Sequence, residues 1–207
     1  MGVIRQFTLQ EELNIINLYK KTETFYQYDG FALGGIVPLT QNYYDIVNIL
    51  AVFFEQFKDY NKPLHILGVS GTKTMALMTY FKKLYKKEIV TYDSASYGNG
   101  AIRLEFINLF NKFKISFGNN SENKLTKLPC LCPVCSKIKD LTLIRQGGSI
   151  PGALLSLHNL YQYIQFSYFI NAISDDIQIM EDYMIKNLEI ENRLLDFIKE
   201  TYSNGYE

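Results

Sequence analysis

One stretch of the chain decides its fold: YDGFALGGIVPLTQNYYDIVNILAVFFEQFKDYNKPLHILGVSG, residues 28–71. Two short apolar runs, each closed by glycine, flank a segment whose apolar residues recur at helical spacing. The pattern predicts a strand within 28–39, a helix over 40–60 with Thr40 as its N-cap, and a second strand within 62–71. A strand–helix–strand unit of this length is typical of a parallel sheet.

The same alternation continues on both sides of this stretch. A helix is predicted over 8–21, and another over 72–87 that begins at a threonine cap and ends in lysines that suit its dipole. A third buried strand is predicted within 88–96. The strands are continuous apolar runs, which is typical of strands covered on both faces. The sequence therefore predicts an α/β fold.

The rhythm changes after the third strand. Residues 98–118, GNGAIRLEFINLFNKFKISFG, are interpreted as an excursion of strands turned by glycine. Residues 151–202 are predicted to be mostly helical, with an acidic cap at Asp175 and Asp176. No internal repeat or low-complexity linker divides the chain.

Composition limits the class of protein. The 207 residues are 47% hydrophobic, enough for a core, and the formal net charge is zero, so no global basic field favours nucleic acid. Residues 111–139 nevertheless carry six lysines against one acid, Glu122, which makes this segment about +5 and the remainder about −5. Such a segment is either a solvated surface or a surface that contacts phosphate. Its lysines are residues 112, 114, 124, 127, 137 and 139.

The cysteines and the apolar runs indicate a compartment. No signal-peptide pattern opens the sequence, and no apolar run approaches the ~20 residues of a membrane span. The three cysteines are few and odd in number, so a disulfide framework is not expected. We therefore expect a protein of the reducing cytoplasm that does not enter membranes.

All three cysteines lie in LPCLCPVCSK, residues 128–137. The spacing C-x-C-x-x-C offers three thiolates from one loop, and zinc prefers four ligands in a tetrahedron. His158, in the helical pattern LLSLHNLYQYI, supplies the fourth, so Cys130, Cys132, Cys135 and His158 predict a closed, structural zinc site. The alternative is unligated thiols beside a core histidine. The other histidine, His65, is interpreted as a core residue or a supporting neighbour of a site.

Glycines and one acid follow the predicted strands, where α/β folds bind their ligands. Gly34 and Gly35 end the first strand, Gly68 the second, and Asp93 the third. Glycines allow a ligand to approach the backbone, or they only make tight turns. A carboxylate after an apolar strand either caps the next helix or takes part in chemistry.

Taken in order, these motifs resemble the tRNA-guanine transglycosylases. The segments GFALGGIVPL, PLHILGVSG, EIVTYDSASYGNG, LPCLCPVCSK and LSLHNLYQYI carry the resemblance, which runs from about residue 29 to residue 164. It is closer to the archaeal-type enzymes and to phage and bacterial DNA-modifying relatives than to the bacterial queuine enzymes. The resemblance implies a (β/α)8 barrel with an inserted zinc subdomain. It also implies exchange of guanine for a 7-deazaguanine base through a covalent glycosyl-enzyme intermediate.

Residue by residue, the resemblance implies that Asp93 is the nucleophile that attacks the sugar C1′. The backbone of Gly34 and Gly35 would bind the incoming base, with Ile36 beside it. The remaining matches are Leu67, before Gly68, as an apolar contact to the base, Arg103 as a contact to a backbone phosphate, and Cys130, Cys132, Cys135 and His158 as ligands of a structural Zn²⁺.

The sequence departs from the family in two respects. No motif matches the second catalytic aspartate or the base-reading aspartate, and the free acids Asp29 and Asp45 lie in other contexts. About three to five strands are too few to close an eight-stranded barrel. We therefore expect the C-terminal part of such a barrel. Three arrangements would cover its open edges: a separately encoded N-terminal half, a homo-oligomer, or a smaller rearranged sheet. A gene split in a compact viral genome would explain this, and the cytoplasm would then be that of the host.

Three segments are expected: a partial barrel over 1–110, a zinc subdomain over 111–160 and a C-terminal helical segment over 161–207. The leading hypothesis is a base-exchanging transglycosylase that acts on DNA, because neither a tRNA-docking domain nor spare length is evident. The alternatives are a subunit of a tRNA-guanine transglycosylase, a non-catalytic zinc-containing partner subunit, and a zinc-stabilised α/β domain of unrelated function.

Overall fold

A parallel sheet and the helices that connect its strands make up the first part of the chain in the computed structural model. The protein consists of two compact units. The first contains Met1–Ser94 and Ile170–Glu207, and the second contains Ala95–Phe169. The predicted three-part division at residues 110 and 160 stays a prediction. The residues that the structure describes are 1–5, 8–22, 25–36, 38, 42–69, 71–110, 113–116, 130–138, 144 and 148–204.

The first unit contains four parallel strands that lie side by side in chain order. The predicted strands within 28–39, 62–71 and 88–96 are confirmed, in shorter form. A strand at the start of the chain was not predicted. The strands are β1 (Gly2–Arg5), β2 (Phe31–Gly34), β3 (Leu64–Ile66) and β4 (Val90–Tyr92).

Three helices connect these strands: α1 (Leu9–Lys21), α2 (Tyr43–Gln56) and α3 (Thr72–Leu84). Each lies within a segment predicted as helix. Because each crossover joins neighbouring parallel strands in the same direction, right-handed connections carry all three helices over one face of the sheet. The chain therefore builds successive βα units without reversing the strand order.

Two of the predicted N-cap residues are wrong in the structure. In α1, Thr8 is the N-cap of a capping box, since its side chain accepts from the amide of Glu11. The N-cap of α2 is Asn42, not Thr40, which lies outside the described residues. Gly71 caps α3 without a side-chain hydrogen bond, so Thr72 is the first helical residue.

The two faces of the sheet differ in burial. Phe31 of β2 is fully buried, and its ring contacts Tyr19 of α1 and Phe57 at the end of α2, so its side of the sheet faces the helices. The register places Val3 and Thr91 on the other side, and both are exposed. The expectation that the predicted strands are covered on both faces therefore holds for β2 but is wrong for β4, and the unpredicted β1 is likewise open on one face.

Two further helices, α6 (Ile177–Leu188) and α7 (Asn192–Asn204), complete the first unit. Helix α6 contacts α3, and α7 contacts α2. The buried Glu181 of α6 accepts from the hydroxyl of Tyr80 on α3 at 2.6 Å and from Nζ of Lys199 on α7 at 2.7 Å. This carboxylate therefore links three helices.

The second unit begins with α4 (Ser96–Ile102) and an antiparallel hairpin of β5 (Glu105–Asn108) and β6 (Phe113–Ser116). The strand excursion predicted over 98–118 is thus correct for the hairpin and wrong for α4. Two glycines concealed this helix because glycine disfavours helices. A Cβ at Gly100 would lie 3.1 Å from the side chain of Ile107, which would have to shift by a few tenths of an ångström.

A long helix, α5 (Ser149–Ile173), supplies most of the remaining structure of the second unit. With α6 and α7 it confirms the helical prediction for 151–202, and Asp176 is the N-cap of α6, as expected. Within the described part of the chain, no helix combines the length and the apolar character required to cross a lipid bilayer. The core of this unit contains Ala101, Phe106, Cys132, Cys135, Ile144 and Leu155.

Candidate functional site

The three cysteines and His158 form a cluster in the second unit, as the sequence predicted. Their ligating atoms all lie within 4.8 Å of one another. Nδ1 of His158 is 3.4 Å from Sγ of Cys132 and 3.2 Å from Sγ of Cys135. A tetrahedral zinc ion with bonds of about 2.3 Å to sulfur and 2.0 Å to nitrogen separates its ligand atoms by roughly 3.5–3.8 Å. The cluster therefore fits a metal ion with a Cys₃His ligand set, such as zinc. The third thiol, that of Cys130, completes the set of four ligands.

The surroundings orient the histidine for such a role. Nε2 of His158 lies 2.8 Å from the carbonyl oxygen of Ile107. Because a carbonyl only accepts, Nε2 carries the proton, and Nδ1 is left as the ligand atom facing the thiols. The imidazole also stacks on Phe106, with 4.0 Å between ring centroids.

Burial sets the charge of this cluster when no cation is bound. Desolvation lowers the pKa of His158, which favours the neutral imidazole that metals bind. Burial also raises the pKa of the thiols of Cys130 and Cys135, which favours the protonated forms. A bound cation reverses this preference, because thiolates are the ligands.

Donors to sulfur surround the cluster. The amide of Cys132 donates to Sγ of Cys130, and the amide of Cys135 donates to Sγ of Cys132. Gln162, one helical turn after His158, directs its Nε2 at Sγ of Cys130 over 3.8 Å. Such contacts stabilise thiolate charge and support a structural metal centre.

A second group of predicted residues meets at the carboxyl ends of the strands in the first unit. Asp93 follows β4, and its Oδ1 accepts a hydrogen bond of 2.6 Å from the amide of Gly68, which follows β3. Gly68 has a φ of +79°, in the left-handed region that favours glycine. The side chain of Asp93 is 59% exposed. The acid is therefore held by the backbone while it faces solvent.

Gly34 and Gly35 lie at the carboxyl end of β2, which β3 separates from the strand that Asp93 follows. A Cβ at Gly34 would lie 3.4 Å from Cδ1 of Leu67, so the leucine side chain packs over the glycine. Gly35 has a φ of +88°. Ile36 is fully buried. The structure thus brings Gly34, Gly35, Leu67, Gly68 and Asp93 to neighbouring strand ends.

Sequence reasoning missed a second contact of this acid. Nε2 of His65 lies 3.9 Å from Oδ1 of Asp93, and its Nδ1 lies 2.7 Å from Oγ1 of Thr91. A signal was present, because side chains two apart on a strand share a face. His65 precedes Leu67 by two positions, and Thr91 precedes Asp93 by two.

Arg103 belongs to the second unit, at the end of α4. The carboxylate of Glu105 accepts from its Nε at 3.0 Å and from its Nη2 at 2.9 Å, and this hydrogen-bonded pair raises the pKa of Arg103. Its contact to phosphate stays a prediction, and Glu105 offsets its charge. Of the lysines in 111–139, the backbone of Lys114 and the exposed Lys137 are described, and residues 112, 124, 127 and 139 lie outside the described residues.

The two other acids considered from sequence lie in different places. Asp29 precedes β2 and is exposed at the amino end of the sheet, the edge opposite to Asp93. Asp45, in the first turn of α2, accepts from the side chain of Asn42 at 2.8 Å. Within the described residues, neither acid meets the position expected of a second catalytic acid.

The chain is similar to curated archaeal proteins named tRNA-guanine(15) transglycosylase. The protein of Methanosarcina barkeri is 25% identical over 180 residues, which are 86% of this chain and 33% of the relative. The protein of Methanosarcina mazei is 26% identical over 180 residues, again 86% of this chain and 33% of the relative. That of Methanococcus aeolicus is 26% identical over 147 residues, 65% of this chain and 19% of the relative.

The chain therefore spans a third or less of the length of these relatives. A scan against models of known protein families finds no match. The distant relatives support the tRNA-guanine transglycosylase superfamily, as the motifs predicted.

Proposed function

We propose that this chain is the nucleophile-bearing part of a guanine transglycosylase, which exchanges a guanine in a nucleic acid for a 7-deazaguanine base. One observation carries the proposal. Asp93 lies at the carboxyl end of a parallel strand, with Oδ1 bound by the amide of Gly68 and its side chain open to solvent. The chain that holds it is related over most of its length to tRNA-guanine(15) transglycosylases.

The proposed exchange balances without a further reagent. An oxygen of the Asp93 carboxylate gives an electron pair to C1′, and the bond from C1′ to N9 breaks with its pair going to guanine. Guanine gains a proton and leaves. The incoming base loses its N9 proton, N9 bonds to C1′, and the ester bond breaks to restore the carboxylate. One proton is taken up and one is released.

The neighbouring residues support binding of a planar base. Gly34 and Gly35 have no side chains, so a base can approach their backbone groups closely. Leu67 offers an apolar surface over Gly34. We assign base binding to these residues and to Gly68, with Ile36 beside the base. The phosphate contact is assigned to Arg103.

We further propose that the sheet is the C-terminal part of a (β/α)8 barrel. Its strands follow chain order, its crossover helices share one face, and Val3 on the opposite face is 49% exposed. A doubly wound sheet would reverse its strand order and cover both faces. The remaining strands would come from a separately encoded N-terminal half or from another copy of the chain. Gel filtration of the chain alone and with each candidate partner tests this, and a stable monomer that binds neither would contradict it.

Zn²⁺ is the metal we assign to Cys130, Cys132, Cys135 and His158. Four protein ligands close the tetrahedron, so the ion would stabilise this unit and would not activate water. Because three ligands come from one loop and the fourth from α5, the ion would hold the loop against the helix.

The experiment is a base-exchange assay with labelled guanine. The chain, with and without a candidate N-terminal half, is incubated with tRNA and with duplex DNA. The names of the relatives favour label in tRNA, and the DNA arm tests the preference expected from sequence. Asp93→Ala should abolish exchange, and Asp29→Ala, at the opposite edge of the sheet, is the matched control.

Two results would contradict the proposal: no label in either polymer under any pairing, or full exchange by Asp93→Ala. If the N-terminal half exchanges base equally well with Asp93→Ala, the chain is the non-catalytic partner subunit. A denaturation-resistant adduct between wild-type protein and nucleic acid, absent from Asp93→Ala, would identify the covalent intermediate.

A further inference from the structure

We propose that His65 is a positioning residue that fixes the Asp93 carboxylate so that Oδ2 is the oxygen that bonds C1′. The inference rests on the proposed role of Asp93. Both contacts to the carboxylate within the described residues fall on Oδ1: the amide of Gly68 at 2.6 Å and Nε2 of His65 at 3.9 Å. Rotation about the Cβ–Cγ bond would remove Oδ1 from both donors. Oδ2 is then the oxygen left for the sugar.

The same contacts divide charge between the two oxygens. A hydrogen-bond donor or a nearby cation holds negative charge on the oxygen that it faces. The engaged Oδ1 of Asp93 is therefore the poorer nucleophile, and Oδ2 the better one. Two donors on one oxygen thus select both the orientation and the reacting atom.

Thr91 contacts the other nitrogen of the imidazole. Its hydroxyl lies 2.7 Å from Nδ1 of His65 and can donate to it, which leaves the proton of the neutral ring on Nε2, facing Asp93. The hydroxyl can also accept from Nδ1, but that tautomer would turn a bare nitrogen lone pair toward the carboxylate, which disfavours it. The protonated ring also carries a hydrogen on Nε2, so it too presents a donor to Asp93.

The distance of 3.9 Å is longer than a hydrogen bond, so the resting contact is electrostatic. Catalytic hydrogen bonds are often long before substrate binds and shorten in the complex. The imidazole has room for this movement. Its neighbour across β2 is the small side chain of Ala32, and the ring remains 20% exposed on the open face of the sheet.

A spectroscopic experiment tests the arrangement without activity. The chain contains two histidines, so ¹⁵N labelling of histidine gives two imidazoles, and His158 serves as the internal reference. His65 should show the tautomer with its proton on Nε2. Thr91→Val should shift the His65 nitrogens and leave those of His158 unchanged. A proton on Nδ1 of His65, or no change in Thr91→Val, would overturn the proposal.

A pair of variants tests the consequence for the reaction. The amide nitrogen of His65→Gln reaches the place of Nε2, whereas that of His65→Asn reaches only the place of Nδ1. In single-turnover adduct formation, His65→Asn should lose roughly 10- to 100-fold in rate, as misplaced catalytic groups do, with KM for nucleic acid little changed. His65→Gln should recover most of this rate.

Melting temperatures confirm that both variants are folded before rates are compared. Equal rates for folded His65→Asn and wild type, or equal losses in both variants, would refute the positioning role. Failure of the proposed function gives a different result, because wild-type protein would then form no adduct. The ¹⁵N spectra would still decide the arrangement of His65.

Discussion

Glu12 provides the sharpest prediction about stability. It lies in the first turn of α1 and is fully buried, and neither of its carboxyl oxygens has a hydrogen-bond partner among the residues that the structure describes. Burial raises the pKa of Glu12 from 4.5 to about 9. A carboxyl that is neutral at pH 7 therefore occupies the core, and Glu12→Gln replaces it with a neutral group of the same shape.

The direction of the pH dependence follows from the protonation of Glu12 in the folded and unfolded chains. Between pH 4.5 and about 9 the unfolded chain releases the proton of Glu12 and the folded chain keeps it, so stability falls as pH rises. Each pH unit in this window changes the free energy of unfolding by about 1.4 kcal/mol. The advantage of Glu12→Gln over wild type should grow by about 4 kcal/mol between pH 5 and pH 8.

Urea unfolding followed by circular dichroism measures this difference. Comparison of variant and wild type at the same pH cancels the titration of the cysteine cluster, which both proteins share. Glu200→Gln, at an exposed position of α7, is the matched control and should show no such trend. A constant difference between Glu12→Gln and wild type across this pH range would refute the burial of an uncompensated carboxyl.

Three further predictions concern metal, hydrogen bonding and packing. Removal of zinc by a chelator, or Cys135→Ser, should lower the melting temperature and the hydrogen-exchange protection of residues 130–162. The reason is that a ligand present at 1,000 times its Kd stabilises the folded protein by about 4 kcal/mol. If native mass spectrometry detects no bound zinc, this prediction is wrong. Tyr80→Phe should lose about 1–2 kcal/mol in urea unfolding, because it removes the buried hydrogen bond to Glu181. Gly30→Ala should lose about 1–3 kcal/mol, because its Cβ would lie 2.6 Å from a backbone carbonyl. Its control, Gly152→Ala in α5, has open space around the new methyl group and should gain about 0.5–1 kcal/mol.

Sequence pattern was sufficient where each element had a long or unambiguous signal. The βα units around β2 and β3 follow from apolar runs punctuated by glycine, and α1 follows from the helical spacing of its apolar residues. Strand β1 was missed because it has four residues, of which Val3 and Arg5 are exposed. Its assignment requires the neighbouring strand, with which it forms a parallel ladder.

The candidate site divides in the same way. The Cys₃His cluster was predictable because zinc ligands have characteristic spacing, and α5 brings His158 to the thiols. The contact of His65 with Asp93 was signalled only in part by the spacing within each strand, because it also depends on the register between β3 and β4, which pairs His65 with Thr91. Register between strands that a helix separates is set by packing, which no local pattern encodes.

The hydrogen bond from Gly68 to Asp93 bears on how such a site is inherited. The donor is a main-chain amide, so a codon change at position 68 can alter the side chain but, proline apart, cannot delete the donor. The left-handed φ of +79° at position 68 limits which residue can stand there, but any residue other than proline still supplies the amide donor. A contact between two side chains, such as that of His65 with Thr91, can vanish in one mutational step. Over lineages that retain 25% identity, Asp93 can keep its anchor while the side chains around it drift.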